Sequence, residues 1–236
     1  MKIHLFVISW TGKREAAEAI VASASRADFR TVIYSNASES PEEGTGEWVS
    51  VPNAWFFGRK FERALEAFHP EADIFLLVQA DAVLADWNRV IDRCREAFRD
   101  ETVGVWAPQV DYTFFTDARV VLRPSKVGWV VAQTDGIVFS FRRSTAERLK
   151  NLDYSVCNLG WGIDWAAIVH AHTEGREAHR DTHIHVHHPK GSGYDPAIAH
   201  AQMRALLRQL TVAEQDHFVA LERFALRPLG VSLGPS

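Results

Sequence analysis

The apolar run Asp73-Ile74-Phe75-Leu76-Leu77-Val78, passing straight into Gln79-Ala80-Asp81, constrains the fold of this chain more than any other feature. An unbroken apolar stretch of strand length is what a β-strand shows when both of its faces are covered. Such sheets carry helices on each side, and their parallel strands are joined by crossover helices. The rest of the first half has the same alternation. Residues 3–9 form another near-continuous apolar run, followed by Ala16, Ala19, Ile20 and Ala24 at helical spacing within residues 14–25. Residues 30–34 predict a strand ending at Ser35-Asn36, and residues 48–51 a short one after a loop with Pro41, Gly44 and Gly46. Phe57, Phe61, Ala64, Leu65 and Phe68 make one stripe of a helix over 57–68. A helix over 87–98 and a strand over 103–107 follow the central run.

The second half predicts strands at 120–122, 127–132 and 136–141, a short helix at 144–149, a longer one at 161–172 and a last strand at 182–187. Residues 197–225 are helical in pattern around Met203, Leu206, Leu207, Leu210 and Phe218, with a break near Thr211. No internal repeat, low-complexity tract or linker interrupts the chain. The expectation is one α/β domain with a mostly parallel central sheet flanked by helices. Residues 1–195 would form the binding unit, and residues 196–236 a C-terminal helical extension packed on it. Ligands of such sheets gather beyond the carboxyl ends of the strands, where Asn36 and Asp81 fall.

At 236 residues, 47% hydrophobic and 24% charged, the chain has the composition of a soluble protein with a sizeable core. Its formal net charge of −4 supplies no basic field for nucleic acid. Cys94 and Cys157 match no metal or redox spacing, which points to a reducing compartment and a cytoplasmic location. The N-terminal apolar run is too short for a secretory h-region or a span, and no later run reaches the roughly 20 residues of a membrane helix. Peripheral membrane association stays open.

Asp81 is the first candidate for chemistry, because a carboxylate just past a buried strand can hold a hard divalent cation that in turn binds a diphosphate. Asp is also a common cap at that position. Asp164 follows Asn158-Leu159-Gly160-Trp161-Gly162-Ile163 near the start of a helix, where a carboxylate can act as a general base or simply complement the helix dipole. In the strand His183-Ile184-His185-Val186-His187-His188, the histidines 183, 185 and 187 share one face. That face is a conceivable zinc site and, more commonly, an exposed strand face. His188 belongs to the opposite, apolar face. Lys190 and the backbone of Lys190-Gly191-Ser192-Gly193-Tyr194 can meet phosphate oxygens.

Taken together, an acid after the central strand, an acid opening a later helix behind Gly160-Trp161-Gly162, and His188-Pro189 near the end resemble the GT-A glycosyltransferases, in particular the bacterial family 2-like enzymes. The likeness covers residues 2–194. It implies a GT-A, Rossmann-like fold and an inverting transfer of a sugar from a nucleoside-diphosphate sugar to an acceptor hydroxyl, assisted by Mn²⁺ or Mg²⁺. Asp81 inherits the metal-ligand role of the Asp-x-Asp motif. Gln79 stands where the first acid would be and faces the ribose, with Ala80 between. His188 completes the metal site, with His187 as the alternative. Asp164 becomes the catalytic base. Thr134, Asp135, Trp161 and Gly162 fall on the acceptor side. Ser9, Trp10, Thr11, Ser35, Asn36, Phe57, Gly58 and Lys60 take the positions that meet base, ribose and diphosphate, with Lys190 and Tyr194 on the phosphate side. The implied acceptor is a carbohydrate or glycolipid, in polysaccharide or glycolipid assembly. Two other readings remain: a GT-A domain that binds without turnover, suggested by the missing acid, and a sugar-phosphate nucleotidyltransferase, for which Thr11-Gly12-Lys13-Arg14 is a thin phosphate loop.

Overall fold

The computed structural model describes residues 1–36, 45–111, 118–189 and 193–226. The first half supplies β1 (Ile3–Ile8), α1 (Arg14–Ser23), β2 (Phe29–Ser35), β3 (Glu47–Val51), α2 (Phe57–Glu66), β4 (Ile74–Gln79) and α3 (Trp87–Ala97). The second supplies β5 (Val103–Val110), β6 (Val121–Ser125), β7 (Gly128–Val131), β8 (Val138–Arg142), α4 (Arg143–Leu149), α5 (Ile163–Thr173), β9 (Glu177–Val186), α6 (Pro196–Leu207) and α7 (Val212–Ala225). All the strands join one sheet in the order β3-β2-β1-β4-β8-β5-β9-β7-β6. β8 and β7 run against the others. The mostly parallel α/β sheet expected from the sequence is therefore present.

The continuous apolar runs have the cause inferred for them. Along β1, Ile3, Leu5 and Val7 enter one core with α1 and α3, while Phe6 and Ile8 enter the other with α2 and α5. Phe6, Phe61, Phe75, Phe139 and Phe141 fill the second core, with Phe75 and Phe141 stacked at 4.8 Å. Much of the aromatic content is thus core.

The structure departs from the sequence reading at β9, which starts at Glu177 rather than 182. Glu177-Ala178-His179-Arg180-Asp181 reads as polar surface, yet His179, Arg180 and Asp181 are buried. Asp181 is tolerated inside because Arg93 of α3 donates to its carboxylate at 2.8 Å and the His183 backbone N–H at 2.9 Å.

The break expected near Thr211 is a helix boundary. Thr211 caps α7 by accepting from the Glu214 N–H, and the Glu214 carboxylate accepts from the Thr211 N–H at 2.7 Å. The same buried carboxylate takes two hydrogen bonds from Arg148 of α4, at 2.9 and 2.7 Å. Phe218 meets Trp165 of α5 edge-on at 5.2 Å. The first contact fixes α7 against α4, and the second against α5, which carries Asp164. No helix among the described residues is long and apolar enough to cross a membrane.

Candidate active site

The carboxyl ends of β1, β2, β4 and β9 lie along one edge of the sheet. The turn after β4 is drawn inward by Ala80 N–H, which donates to Ile8 O at 2.9 Å. Val83 and His187 then exchange two backbone hydrogen bonds, at 2.8 and 3.0 Å. This bridge locks the turn after β4 to the end of β9. Because neighbouring residues on an extended strand face opposite ways, it turns His187 outward and His188 inward. His188 Nε2 lies 3.3 Å from Asp81 Oδ1. Both atoms are buried, and neither has a well-aligned hydrogen bond. Burial works to raise the Asp81 carboxyl, but His188 and, more weakly, Lys13 outweigh it and hold it below the usual carboxylate range.

His187 is not equivalent. Its ring is exposed and meets Asp111 at 2.7 Å, so it faces away from Asp81. His183 and His185 are exposed on the same outer face, and His183 turns to Asp181 and Val127 O. Among the described residues no cluster of three or more His, Cys, Asp or Glu side chains is set to hold a metal ion. The zinc reading of this strand thus finds no support in the geometry.

Asp164 lies in the first turn of α5, half-buried, and its carboxyl is pushed up to about 6, chiefly by burial. Gln133 Nε2 approaches its Oδ2 at 3.4 Å. Asp135 is buried and also pushed up to about 6, by burial first and in part by the charge of Asp164. Its Oδ1 accepts from the Ile137 N–H at 2.9 Å, and the charges of His188 and of the buried Arg180 act on it. The site therefore holds two carboxyl centres of opposite tendency, Asp81 held low beside His188 and the Asp135–Asp164 pair held high. Thr134 is buried beside Asp135.

The segment before α5 is fixed by close packing. Asn158 accepts from the Phe56 N–H at 2.8 Å and donates to Ala54 O at 3.1 Å, and Gly58 N–H donates to Asn158 O at 2.8 Å. A Cβ on Gly58 would overlap Cys157 O. Phe57 is buried under Gly160. Gly58 and Phe57 thus pack against the segment that leads into α5. Gly160 and Gly162 have φ of +80° and +92°, and a Cβ on Gly160 would fall into Phe57 and within 2.9 Å of Gly58 N. Gly160→Ala is expected to lower the unfolding free energy by about 1–3 kcal/mol from backbone strain alone, more with the overlap, as read by urea denaturation.

Trp161 Nε1 donates to Tyr194 Oη at 2.7 Å, and its ring meets His200 edge-on at 4.9 Å. Tyr194 also meets Phe56, which leans on Trp10 at 4.9 Å. A line of half-exposed rings therefore runs from the end of β1 to the start of α5, and Tyr194 belongs to its Trp161 end. Thr11 and Asn36 are exposed at the same sheet edge, and Asn36 N–H donates to Val51 O at 2.8 Å. The Gln79 amide donates to Gly136 O at 3.0 Å and so tethers the segment that carries Asp135. Lys60 is also turned inward, bonded to Ser9 O and Ser35 Oγ, which departs from its expected phosphate contact. Lys190 lies outside the described residues. Gln133 and Arg180 escaped the sequence reading, whereas Lys13 entered it only within the thin phosphate loop and Asn158 only as a residue ahead of Gly160-Trp161-Gly162.

No family model matches the sequence, and no curated protein matches it. Solved structures do. TarS residues 1–349 from S. aureus gives a TM-score of 0.62 at 14% identity, covering 99% of this chain and 76% of that one. The mannosyltransferase PcManGT from Pyrobaculum calidifontis, in complex with GDP-Man and Mn²⁺, gives 0.58 at 15% identity, covering 97% and 76%. The chain has the GT-A glycosyltransferase fold. Glucosyl-3-phosphoglycerate synthase from Mycobacterium tuberculosis, in complex with Mn²⁺, UDP-Glc and phosphoglyceric acid, gives 0.56 at 17% identity, covering 98% and 82%. The GT-A likeness extends over nearly the whole chain, and at these identities it speaks for the fold.

Proposed function

We propose that this GT-A chain is a glycosyltransferase that moves a sugar from a nucleoside-diphosphate sugar to an acceptor hydroxyl, with inversion at the anomeric carbon. The observation that carries the reading is the pairing, on one sheet edge, of Asp81–His188 with a separate acid, Asp164, held near neutrality. Asp81 Oδ1 and His188 Nε2, buried and 3.3 Å apart without a well-aligned hydrogen bond, suit a shared divalent cation once His188 is neutral. Mn²⁺ or Mg²⁺ held by Asp81 and His188 would supply Lewis-acid neutralisation of the departing diphosphate. Two protein ligands leave the remaining positions to phosphate oxygens and water.

The donor would lie along the ends of β1 and β2, against Ser9, Trp10, Thr11, Ser35 and Asn36, with Ala80 packing at the turn and Lys190 toward the phosphates. Asp164 would accept the proton of the acceptor hydroxyl as it attacks the anomeric carbon. A carboxyl near 6 is mostly ionised at neutral pH and still basic enough for that transfer. The acceptor, a carbohydrate or glycolipid, would rest against Trp161 and Tyr194, with Gly162, Thr134 and Asp135 shaping the approach. Residues 1–195 would carry both substrates, with residues 196–236 as their support. A cytoplasmic location accords with two free buried cysteines.

Thermal-shift titration with UDP, GDP and their sugars, with and without Mn²⁺, tests the donor site. Stabilisation by one nucleotide, deepened by metal, is the expected result. No response to any of them would remove the reading. A second reading, binding without turnover, draws on the tether of Gln79 to Gly136, which leaves Asp81 as the only acid of its motif. Product analysis by NMR separates the two, and the configuration of the new linkage decides inversion.

A further inference from the structure

Lys60 is fully buried on α2 where the carboxyl ends of β1 and β2 meet. Its ammonium nitrogen donates to Ser9 O at 2.6 Å and to Ser35 Oγ at 2.8 Å, and it lies 4.0 Å from the centre of the Trp10 ring. All three partners are neutral, and no carboxylate among the described residues pairs with it. The charged and titratable groups on the surrounding elements are engaged elsewhere. On α2, Arg59 pairs with Glu62 and Arg63 with Glu66. On α4, Arg148 holds Glu214 and Arg143 meets Glu147 at 3.8 Å. His4 of β1 turns to Thr31, Arg30 of β2 to Val21 O, and Tyr34 of β2 packs against Trp48. Tyr154, in the turn after α4, donates to Leu149 O.

An isolated buried cation that faces only dipoles is costly, and the cost falls if it sheds its proton. Burial alone pushes the Lys60 amine down to about 7. Ser9, whose carbonyl accepts from Lys60, also has a buried Oγ with no hydrogen-bond partner. Lys60 under the Trp10 ring, and Ser9 next to Trp10 in the chain, are thus incompletely served polar groups at the edge where an anionic donor would lie. A negative charge seated there would reverse the balance and favour the ammonium form. We propose that Lys60 takes up a proton when an anionic nucleotide sugar binds over Trp10, so that donor binding is linked to protonation of this amine. The inference rests on the reading of the cleft as a nucleotide-sugar site. By linkage, the donor binds more tightly to the protonated enzyme, so its affinity falls as pH rises through about 7.

Calorimetric titration of the full chain with UDP-glucose and with GDP-mannose at pH 7 tests this, in PIPES and in Tris at constant Mn²⁺. The diphosphate of a nucleotide sugar is a diester with no group titrating near neutrality, so the buffer dependence of the heat reports the protein. Wild-type chain is expected to take up about half a proton per donor bound. Lys60→Arg, charged throughout, should bind without that uptake. Lys60→Met should also lose the uptake and bind about tenfold more weakly, about 1.4 kcal/mol. Because the Met variant adds no charge or bulk to the core, it decides the matter if the Arg variant misfolds. Donor binding by wild type without uptake, or the same uptake in either variant, would overturn the proposal. If neither nucleotide sugar binds the wild-type chain, the donor-site reading itself fails, and the proton linkage falls with it.

Discussion

Asp164→Asn is expected to lower kcat by about 10²–10⁴-fold, the usual contribution of a positioned general base. Asn preserves shape and accepts a hydrogen bond, but it cannot take a proton, so donor affinity should hardly change. The loss should therefore fall on kcat and not on the donor KM. The pH profile gives a second readout. Burial raises the Asp164 carboxyl to about 6, and the base is active only when deprotonated. In the wild type, kcat should rise through about pH 6 and level off above it. Asp135 is pushed up to the same region and feels the charge of Asp164, so the limb reports the pair. Asp164→Asn should abolish what transfer the limb describes. Wild-type kcat in the Asn variant would exclude Asp164 as the base.

Asp81→Ala is the second large effect. The carboxylate is half of a two-residue pair, and no third acidic or histidine ligand among the described residues stands in for it. Changes in the outer shell of metal sites already cost about 10–100-fold in affinity, so removal of a direct ligand should exceed that. The Mn²⁺-dependent part of the nucleotide-induced thermal shift should vanish. His188→Ala should do the same, whereas His187→Ala should not, because His187 faces Asp111 on the outer side of the strand. Equal damage from both histidine variants would break the assignment of the pair.

The layered α/β architecture was legible because its cause is local. β1 and β4 are apolar on both faces, and α2 shows one clean stripe, so periodicity alone finds them. Strand direction is not written in periodicity. The insertion of β8 antiparallel between β4 and β5 follows from the loops that deliver it, and no residue in 138–142 announces it. The early start of β9 was hidden because its buried residues are polar and are stabilised by Arg93, far away in sequence. In the site, Asp81, His188 and Asp164 could be singled out because each sits at a strand or helix end. Lys60 and Gln79 could not be oriented: the sequence supplies a cation and an amide at suitable positions, but only the fold shows both turned inward. Gly58, read as part of a helix over 57–68, and Gly160, beside Trp161, are contact points between two segments about a hundred residues apart in sequence.

The strand order carries a consequence for how the chain is made. β4 and β5 follow one another in synthesis, yet the slot between them belongs to β8, and the slot between β5 and β7 to β9. Until those later strands emerge, the edges of the apolar strands β4 and β5 lack their final partners. A nascent chain of this kind cannot complete its sheet from the N-terminus onward; it must hold open places in the middle and fill them last. Long-range pairing of that order makes folding slow and leaves sticky edges exposed meanwhile. The same late arrivals matter for the candidate site, since the end of β9 both brings His188 and locks the turn that carries Asp81. The approach of His188 to Asp81 then requires that β9 already be in the sheet.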